Sequence, residues 1–113
     1  MFGKIILAAV VLLVLLQIRN RVGKADPSQA RALVKSGAQL IDVRTPGEFS
    51  SGHVEGARNI PVQELGERIG EVGPKDVPVV LYCRSGARSA KAKRMLESSG
   101  FREVHDVGAM SRW

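Results

Sequence analysis

Cysteine is almost absent from the sequence, since Cys83 is the only one in 113 residues. A lone cysteine excludes an internal disulfide, so its thiol is either a small buried hydrophobe or a group retained for chemistry. Histidine is scarce as well, and the spacing of His53 and His105 from Cys83 does not suit a metal site. We therefore expect neither a bound metal nor another cofactor.

Aromatic residues are also few, at 4% of the chain, and no basic run is interleaved with them. A groove that follows a nucleic-acid backbone needs both features, so no nucleic-acid partner is predicted. The net charge of +6 does not contradict this, because four of the basic residues flank one apolar segment, which leaves +2 for the rest of the chain. These four are Lys4, Arg19, Arg21 and Lys24.

The apolar segment comprises residues 5–18, in which only Gln17 is polar. Counted from Phe2 it has 17 residues, and as a helix it would extend about 26 Å. Such a run has no polar face to show to solvent, so we predict a transmembrane anchor with its basic flank over residues 1–24. Arg19, Arg21 and Lys24 follow the segment, and the positive-inside bias then places the rest of the protein on the cytoplasmic side of the cell membrane.

A cleavable secretory signal is the alternative for the same segment. Its length suits the apolar core of a signal peptide, and Gly23 and Ala25 stand where small residues precede a cleavage site at Asp26. The three basic residues in that region argue against cleavage. In the cleaved case the mature protein is exported and soluble.

Residues 25–113 alternate between helical and strand patterns. Asp26 and Thr45 each stand before a proline, which is the signal for a capped helix start. Alternating strands and helices need crossover connections, so we predict an α/β domain with a mostly parallel central sheet and helices on both faces. The predicted helices are residues 27–35, 46–51, 62–72 and 89–98, and the predicted strands are residues 39–43, 57–60, 77–82 and 103–107.

The segment from Val79 to Ser89 places Cys83 at the carboxyl end of a buried strand, before a loop of small residues and a helix start. Reactive groups lie at this end of parallel strands, and the amides of a loop that enters a helix point at whatever sits in its centre. Lowering the thiol pKa by about two units would make thiolate the main form at neutral pH. We therefore predict that Cys83 is a nucleophile on an anion-binding loop made of Arg84, Ser85, Gly86, Ala87, Arg88 and Ser89.

Asp42 and Arg44 lie at the carboxyl end of the predicted strand 39–43, and we interpret them as supporting residues of the site. A carboxylate at this position can orient the loop arginines, which is the role we consider for Asp42. Arg44 is placed to pair with Glu48 on the following helical turn. Glu48 also has the position of a capping-box residue after Thr45.

Two blocks of the sequence resemble the rhodanese-homology family, and the resemblance covers residues 25–113. The first block reads LIDVRTPGEF over residues 40–49 and continues as GHVEGARNIP over residues 52–61, similar to the family's paired signatures. The second is the loop at residues 83–89, which is similar to the family's active-site loop. The segment 108–113 resembles its closing "GG…W", with Ala109 for the second glycine. The first strand of that fold would fall near residues 22–25, where the sequence is short and basic.

The resemblance implies a rhodanese-like fold and a sulfurtransferase activity. Cys83 would accept sulfane sulfur from a small anionic donor such as thiosulfate and pass it, as a persulfide, to cyanide or another thiol. The loop from Cys83 to Arg88 has six residues, the length that family members use for sulfur transfer, whereas the related phosphatases and arsenate reductases have one residue more. The alternative is a non-catalytic, membrane-tethered binding or regulatory module in which Cys83 is incidental.

Overall fold

The computed structural model describes residues 2–113, apart from the side chains of residues 2 and 16–22. The chain starts with helix α1 (Phe2–Val22), whose large described apolar side chains are exposed. Among the residues described in full, no helix combines the length and the hydropathy that a membrane crossing requires. Arg19 and Arg21, on which the predicted orientation rests, lie outside the described side chains.

Four parallel strands in the order β2-β1-β3-β4 form the central sheet. Their carboxyl ends lie at one edge of the sheet, so the loops that follow them are neighbours there. The strands are β1 (Gln39–Asp42), β2 (Arg58–Asn59), β3 (Val79–Cys83) and β4 (Val104–Ala109). The helices around them are α2 (Pro27–Lys35), α3 (Pro46–Ser50), α4 (Val62–Leu65) and α5 (Ala87–Ser98), with 3₁₀ turns at Ile69–Glu71 and Met110–Arg112.

The sheet separates two apolar clusters, because the side chains of β3 alternate between its faces. Leu81 and Cys83 belong to one cluster together with Leu96 of α5. Val80 and Tyr82 belong to the other cluster, with α2 and the 3₁₀ turn at Met110–Arg112. All five residues of β3 are buried, so the prediction of a strand covered on both faces is confirmed.

The helix predicted over residues 62–72 is interrupted. α4 ends at Leu65, and only the short 3₁₀ turn at Ile69–Glu71 follows before Val72. Two glycines, Gly66 and Gly70, fall inside this segment, and glycine disfavours a continuous helix. Leu65 and Val72 are nevertheless fully buried, so the apolar spacing correctly indicated which side chains face the core.

No strand precedes β1 among the described residues. The segment that leads from α1 to α2 makes one backbone hydrogen bond to the sheet, from the amide of Ala25 to the carbonyl of Asp106 at 2.6 Å. The strand that the resemblance places near residues 22–25 is therefore not formed, and β4 is an edge strand of the four-stranded sheet.

Candidate active site

Cys83 is the last residue of β3, and its side chain is fully buried. The Gly86 amide donates to Sγ at 2.9 Å, and the Ser89 hydroxyl lies 3.4 Å from Sγ. Gly86 has φ +102°, a left-handed conformation that disfavours any residue with a Cβ, and it is the N-cap of α5. The loop therefore turns back over the sulfur and points a backbone N–H at it.

Burial of Cys83 by itself raises the pKa of the thiol, since a thiolate is poorly solvated inside a protein. Hydrogen bonds from the Ser89 hydroxyl and from the amides of Ser89, Gly86 and Ser85 act in the opposite direction. Their combined effect is larger, so the pKa of Cys83 lies below its usual value. The predicted activation of the thiol without a histidine base agrees with this direction.

Arg88 at the first turn of α5 forms a bidentate ion pair with Glu48 of α3, with N–O distances of 2.6 and 3.0 Å. Glu48 is also the third residue of a capping box with Thr45, as its sequence position indicated. The hydrogen bonds from Arg88 lower the pKa of Glu48 to about 2. This pair joins α3 to the catalytic loop across 40 positions of sequence, and it largely neutralises the charge of Arg88.

Asp42 and Arg44 pair with each other, so the two contacts we considered for them are wrong. The Arg44 guanidinium donates to both carboxylate oxygens of Asp42 at 2.7 to 3.0 Å, and the Arg44 amide donates to Oδ1 at 2.9 Å. Arg44 also donates to the carbonyl of Gly52 at 2.7 Å. Because Asp42 is fully buried, its charge requires a partner at hydrogen-bond distance, and Arg44 is the cation two residues away. The pair braces the loop after β1.

The structure brings a further ion pair to the loop that the sequence patterns did not reveal. Lys24 Nζ donates to the Gly86 carbonyl at 2.9 Å and to Asp106 Oδ2 at 2.7 Å. Asp106 is buried, and its other carboxylate oxygen accepts from the Gly108 amide at 2.8 Å. We had interpreted Lys24 only as a flank of the apolar segment, and no local signal marks a partner 82 positions away.

Arg84 is exposed, and it makes no ion pair with the described side chains. It lines an open cleft beside the loop, together with Arg44, Gly47, Glu48, Ser51 and Met110. Ser85 and Ala87 are exposed at the loop surface. Within the part of the chain that the structure describes, no three potential metal ligands form a cluster.

Comparison with known proteins agrees with the fold. The sequence model of the rhodanese-like domain family matches residues 26–113 of the chain. The chain belongs to the rhodanese-like domain family. This rhodanese-like domain is 40% identical to thiosulfate sulfurtransferase 18 of Arabidopsis thaliana, in a match that covers 79% of the chain and 75% of the relative.

Two further comparisons have different coverage. Protein YqhL of Bacillus subtilis is 46% identical over 77 residues, a match of 67% of the chain that spans only 60% of the length of that relative. The solved structure of the human single-domain sulfurtransferase TSTD1 superposes with a TM-score of 0.71 at 27% identity, over 80% of the chain and 94% of the human one. The rhodanese-like domain and its α/β fold are therefore those that the sequence blocks indicated.

Because the pKa of Glu48 is low, the free energy of unfolding of the rhodanese-like domain should depend on pH in the acid range. A carboxylate with a depressed pKa contributes stability above its unfolded value of about 4.5, and the contribution is lost as the pH falls towards about 2. We expect Glu48→Gln to lower the free energy of unfolding by about 1 kcal/mol at neutral pH. Chemical denaturation of the parent and of Glu48→Gln should show that their difference in free energy of unfolding becomes smaller as the pH falls from about 4.5 towards about 2. Glu55→Gln, at an exposed residue, is the control, and a difference that is constant with pH would contradict the prediction.

Ser89 provides a test of how the thiol is activated. Ser89→Ala removes the hydroxyl 3.4 Å from Sγ, and we expect it to raise the pKa of Cys83, because the hydrogen bond from this hydroxyl lowers that pKa. Thiolate absorbance against pH measures this directly, because Cys83 is the only cysteine. The single tyrosine, Tyr82, does not interfere, since its burial raises its pKa to about 12. Ser85→Ala is the matched control: it keeps the backbone amide, so an equal rise in both variants would contradict the role of Ser89.

Proposed function

We propose that the protein is a thiosulfate sulfurtransferase that carries sulfane sulfur as a persulfide on Cys83. The observation that carries the proposal is the environment of Sγ: a buried sulfur that accepts from the Gly86 amide at 2.9 Å, at the start of α5. Membership of the rhodanese-like family and the printed activity of the Arabidopsis relative support it. The six-residue length of the loop from Cys83 to Arg88 supports sulfur transfer over phosphatase chemistry.

The reaction needs no net oxidant or reductant. The Cys83 thiolate attacks the outer sulfur of thiosulfate, a new S–S bond forms, and the S–S bond of thiosulfate breaks with its electron pair leaving on sulfite. A thiolate or cyanide then attacks the outer sulfur of the persulfide, which forms a new persulfide or thiocyanate and returns Cys83 as thiolate. In the second step Cys83 leaves as a thiolate, so the donors that stabilise the resting thiolate also stabilise this leaving group.

The charged groups around the loop have two different roles: some form ion pairs that hold the loop, and one is available to an anionic donor. Arg44 and Arg88 are each matched by a carboxylate, Asp42 and Glu48. Exposed Arg84 on the cleft has no such partner among the described side chains, so we assign to it the attraction of the thiosulfate dianion. Arg84 and Ser85 are the exposed loop residues next to the buried Cys83, so we place the approach of the donor on their side of the loop.

We also propose that residues 1–24 anchor the protein in the cell membrane with the rhodanese-like domain on the cytoplasmic side. The support is the run of exposed apolar residues on α1, between 46% and 65% exposed, which is a costly surface to leave in water. The sequence gives further support through the basic flank of the segment. A reduced cytoplasm would also keep a lone thiol available for acceptor thiols.

Sulfur uptake is tested by intact-protein mass spectrometry. Treatment of the parent with thiosulfate should add the mass of one sulfur atom, and cyanide should remove it with release of thiocyanate. Cys83→Ser should show neither change, because no other thiol is present. Sulfur uptake by the serine variant would exclude Cys83 as the carrier. A folded parent that takes up no sulfur would instead favour a non-catalytic binding module.

Membrane attachment is tested by extraction. We expect the protein to remain in the membrane pellet through high salt and carbonate and to dissolve in detergent, because burial of an apolar helix outweighs any electrostatic attachment. Because Cys83 is buried, topology is read from a cysteine at an exposed position, in the variant Cys83→Ser/Glu55→Cys. A membrane-impermeant maleimide should leave this variant unlabelled in intact cells and label it after permeabilisation. A soluble exported form that begins at Asp26 would overturn the anchor and leave the sulfurtransferase proposal unaffected.

A further inference from the structure

The segment at residues 23–25 contacts the catalytic loop, although it lies 62 positions before it in the sequence. Gly23 is the single residue between the end of α1 and Lys24. The Lys24 side chain is 25% exposed, and its Nζ lies between the Gly86 carbonyl and the buried Asp106 carboxylate. Ala25 is held by the Asp106 carbonyl at 2.6 Å, so the segment is attached to β4 by its backbone as well as by its side chain.

Two glycines make room for this lysine. A Cβ at Gly86 would stand 3.3 Å from Lys24 Nζ, and a Cβ at Gly108 would stand 3.3 Å from its Cδ. Both glycines have positive φ, +102° and +88°. Leu81 pairs with Asp106 and Tyr82 with Gly108, so the extra residue of a bulge in β4 lies between the acid and the glycine. The bulge re-aims the Asp106 side chain towards the loop.

A continuous polar chain links Lys24 to the sulfur. Gly86 O accepts from the Ala90 amide at 3.1 Å, from Lys24 Nζ at 2.9 Å and from the Ser89 hydroxyl at 3.2 Å. The same hydroxyl lies 3.4 Å from Cys83 Sγ. When Cys83 is a thiolate, the Ser89 hydroxyl has to turn its proton to the sulfur, and Gly86 O then loses that donor. Lys24 stays on Gly86 O in both states, so the carbonyl keeps a charged donor.

From this geometry we infer that Lys24 is a positioning residue for sulfur transfer: it is held by Asp106 and fixes the Gly86 carbonyl, so that the Gly86 amide and the Ser89 hydroxyl stay directed at Cys83. This role rests on the proposed function for its effect on turnover, but not for its effect on the thiol. Lys24 itself does not touch the reacting sulfur. Lys24 holds the carbonyl of Gly86, and this restrains the amide of the same residue, which donates to the sulfur.

The other charged groups near the loop do not supply this contact. Arg88 is paired with Glu48 and Arg44 with Asp42, each on the side of α3 and the loop after β1. Arg84 faces the open cleft. On the side of Lys24, the helix α5 presents Lys93, Arg94 and Glu97 to the same groove. All of these groups are unchanged in the variants below.

The test compares Lys24→Met with the double variant Lys24→Met/Asp106→Asn in the full chain in detergent. The single variant leaves the Asp106 charge buried without its partner, so its melting temperature should fall. The double variant has the same net charge as the parent and no unpaired carboxylate, so part of that loss should be recovered. It still lacks the charged donor on Gly86 O, which keeps the Ala90 amide. We expect its kcat with thiosulfate to remain at least about fivefold below that of the parent, with KM changed by less than about twofold.

The second readout is the thiolate titration of Cys83, which requires no turnover. In the double variant the pKa of Cys83 should be higher than in the parent, and the equal net charge rules out a change in the overall charge of the protein as the cause. Lys24→Arg should retain the parental titration, because a guanidinium can donate to both Gly86 O and Asp106 Oδ2. Lys91→Met, at an exposed lysine of α5, is the control and should match the parent.

The outcomes separate this inference from the proposed function. Parental kcat and parental titration in the double variant would overturn the role of Lys24, whatever happens to its melting temperature. A parent that takes up no sulfur would overturn the sulfurtransferase proposal, whereas the titration would still decide whether Lys24 positions the loop. A rise of the Cys83 pKa in Lys91→Met as large as in the double variant would also overturn the inference.

Discussion

The burial of one sulfur atom at the carboxyl end of β3 sets the requirement that the rest of the site meets. A thiolate without solvent is unfavourable, and Cys83 is fully covered because β3 lies inside the sheet with apolar clusters on both faces. The stabilising donors have to come from the protein, and they come from the first turn of α5. Gly86 can direct its amide at Sγ because its left-handed φ folds the loop back, and Ser89 follows one helical turn later.

A loop with this task has to be held still, since a displaced amide would leave the thiolate unsolvated. Three ion pairs hold its surroundings, and each joins a different pair of segments. The Arg88–Glu48 pair holds α5 to α3, the Asp42–Arg44 pair braces the loop after β1, and the third pair, Lys24–Asp106, fixes the Gly86 carbonyl. Asp42 and Asp106 are buried, and a buried carboxylate is strongly penalised when its partner is removed. The pairs therefore restrict the loop more than they add net stability.

The arrangement also explains which arginine remains for the substrate. An anion-binding loop flanked by two arginines gives the impression of two equivalent positive charges. In the folded protein Glu48 accepts both donors of Arg88, whereas Arg84 lies exposed on the open cleft. In the proposed function, binding of an anionic donor and bracing of the loop are thus assigned to different side chains, and substitution of the two arginines should not be expected to have the same consequence.

Local sequence patterns were sufficient for the order of helices and strands, the buried strand β3 and the loop after Cys83, because these depend on neighbouring residues. The capping signals at Asp26 and Thr45 correctly began α2 and α3. The apolar spacing predicted one helix over residues 62–72, which is wrong because Gly66 and Gly70 interrupt it. The positions that it predicted to be buried are correct at Leu65 and Val72.

The sequence by itself determined the position of the lone cysteine at a strand end and the type of loop around it, because strand, cysteine, glycine and helix start are consecutive. Only the tertiary structure decided which charges pair. Arg44 has acids at positions 42 and 48, and burial of Asp42 selects the first. Glu48 and Arg88 are 40 positions apart, and Lys24 and Asp106 are 82 apart. Such contacts depend on how parallel strands bring distant loops to one edge of the sheet, and no periodicity along the chain records that distance.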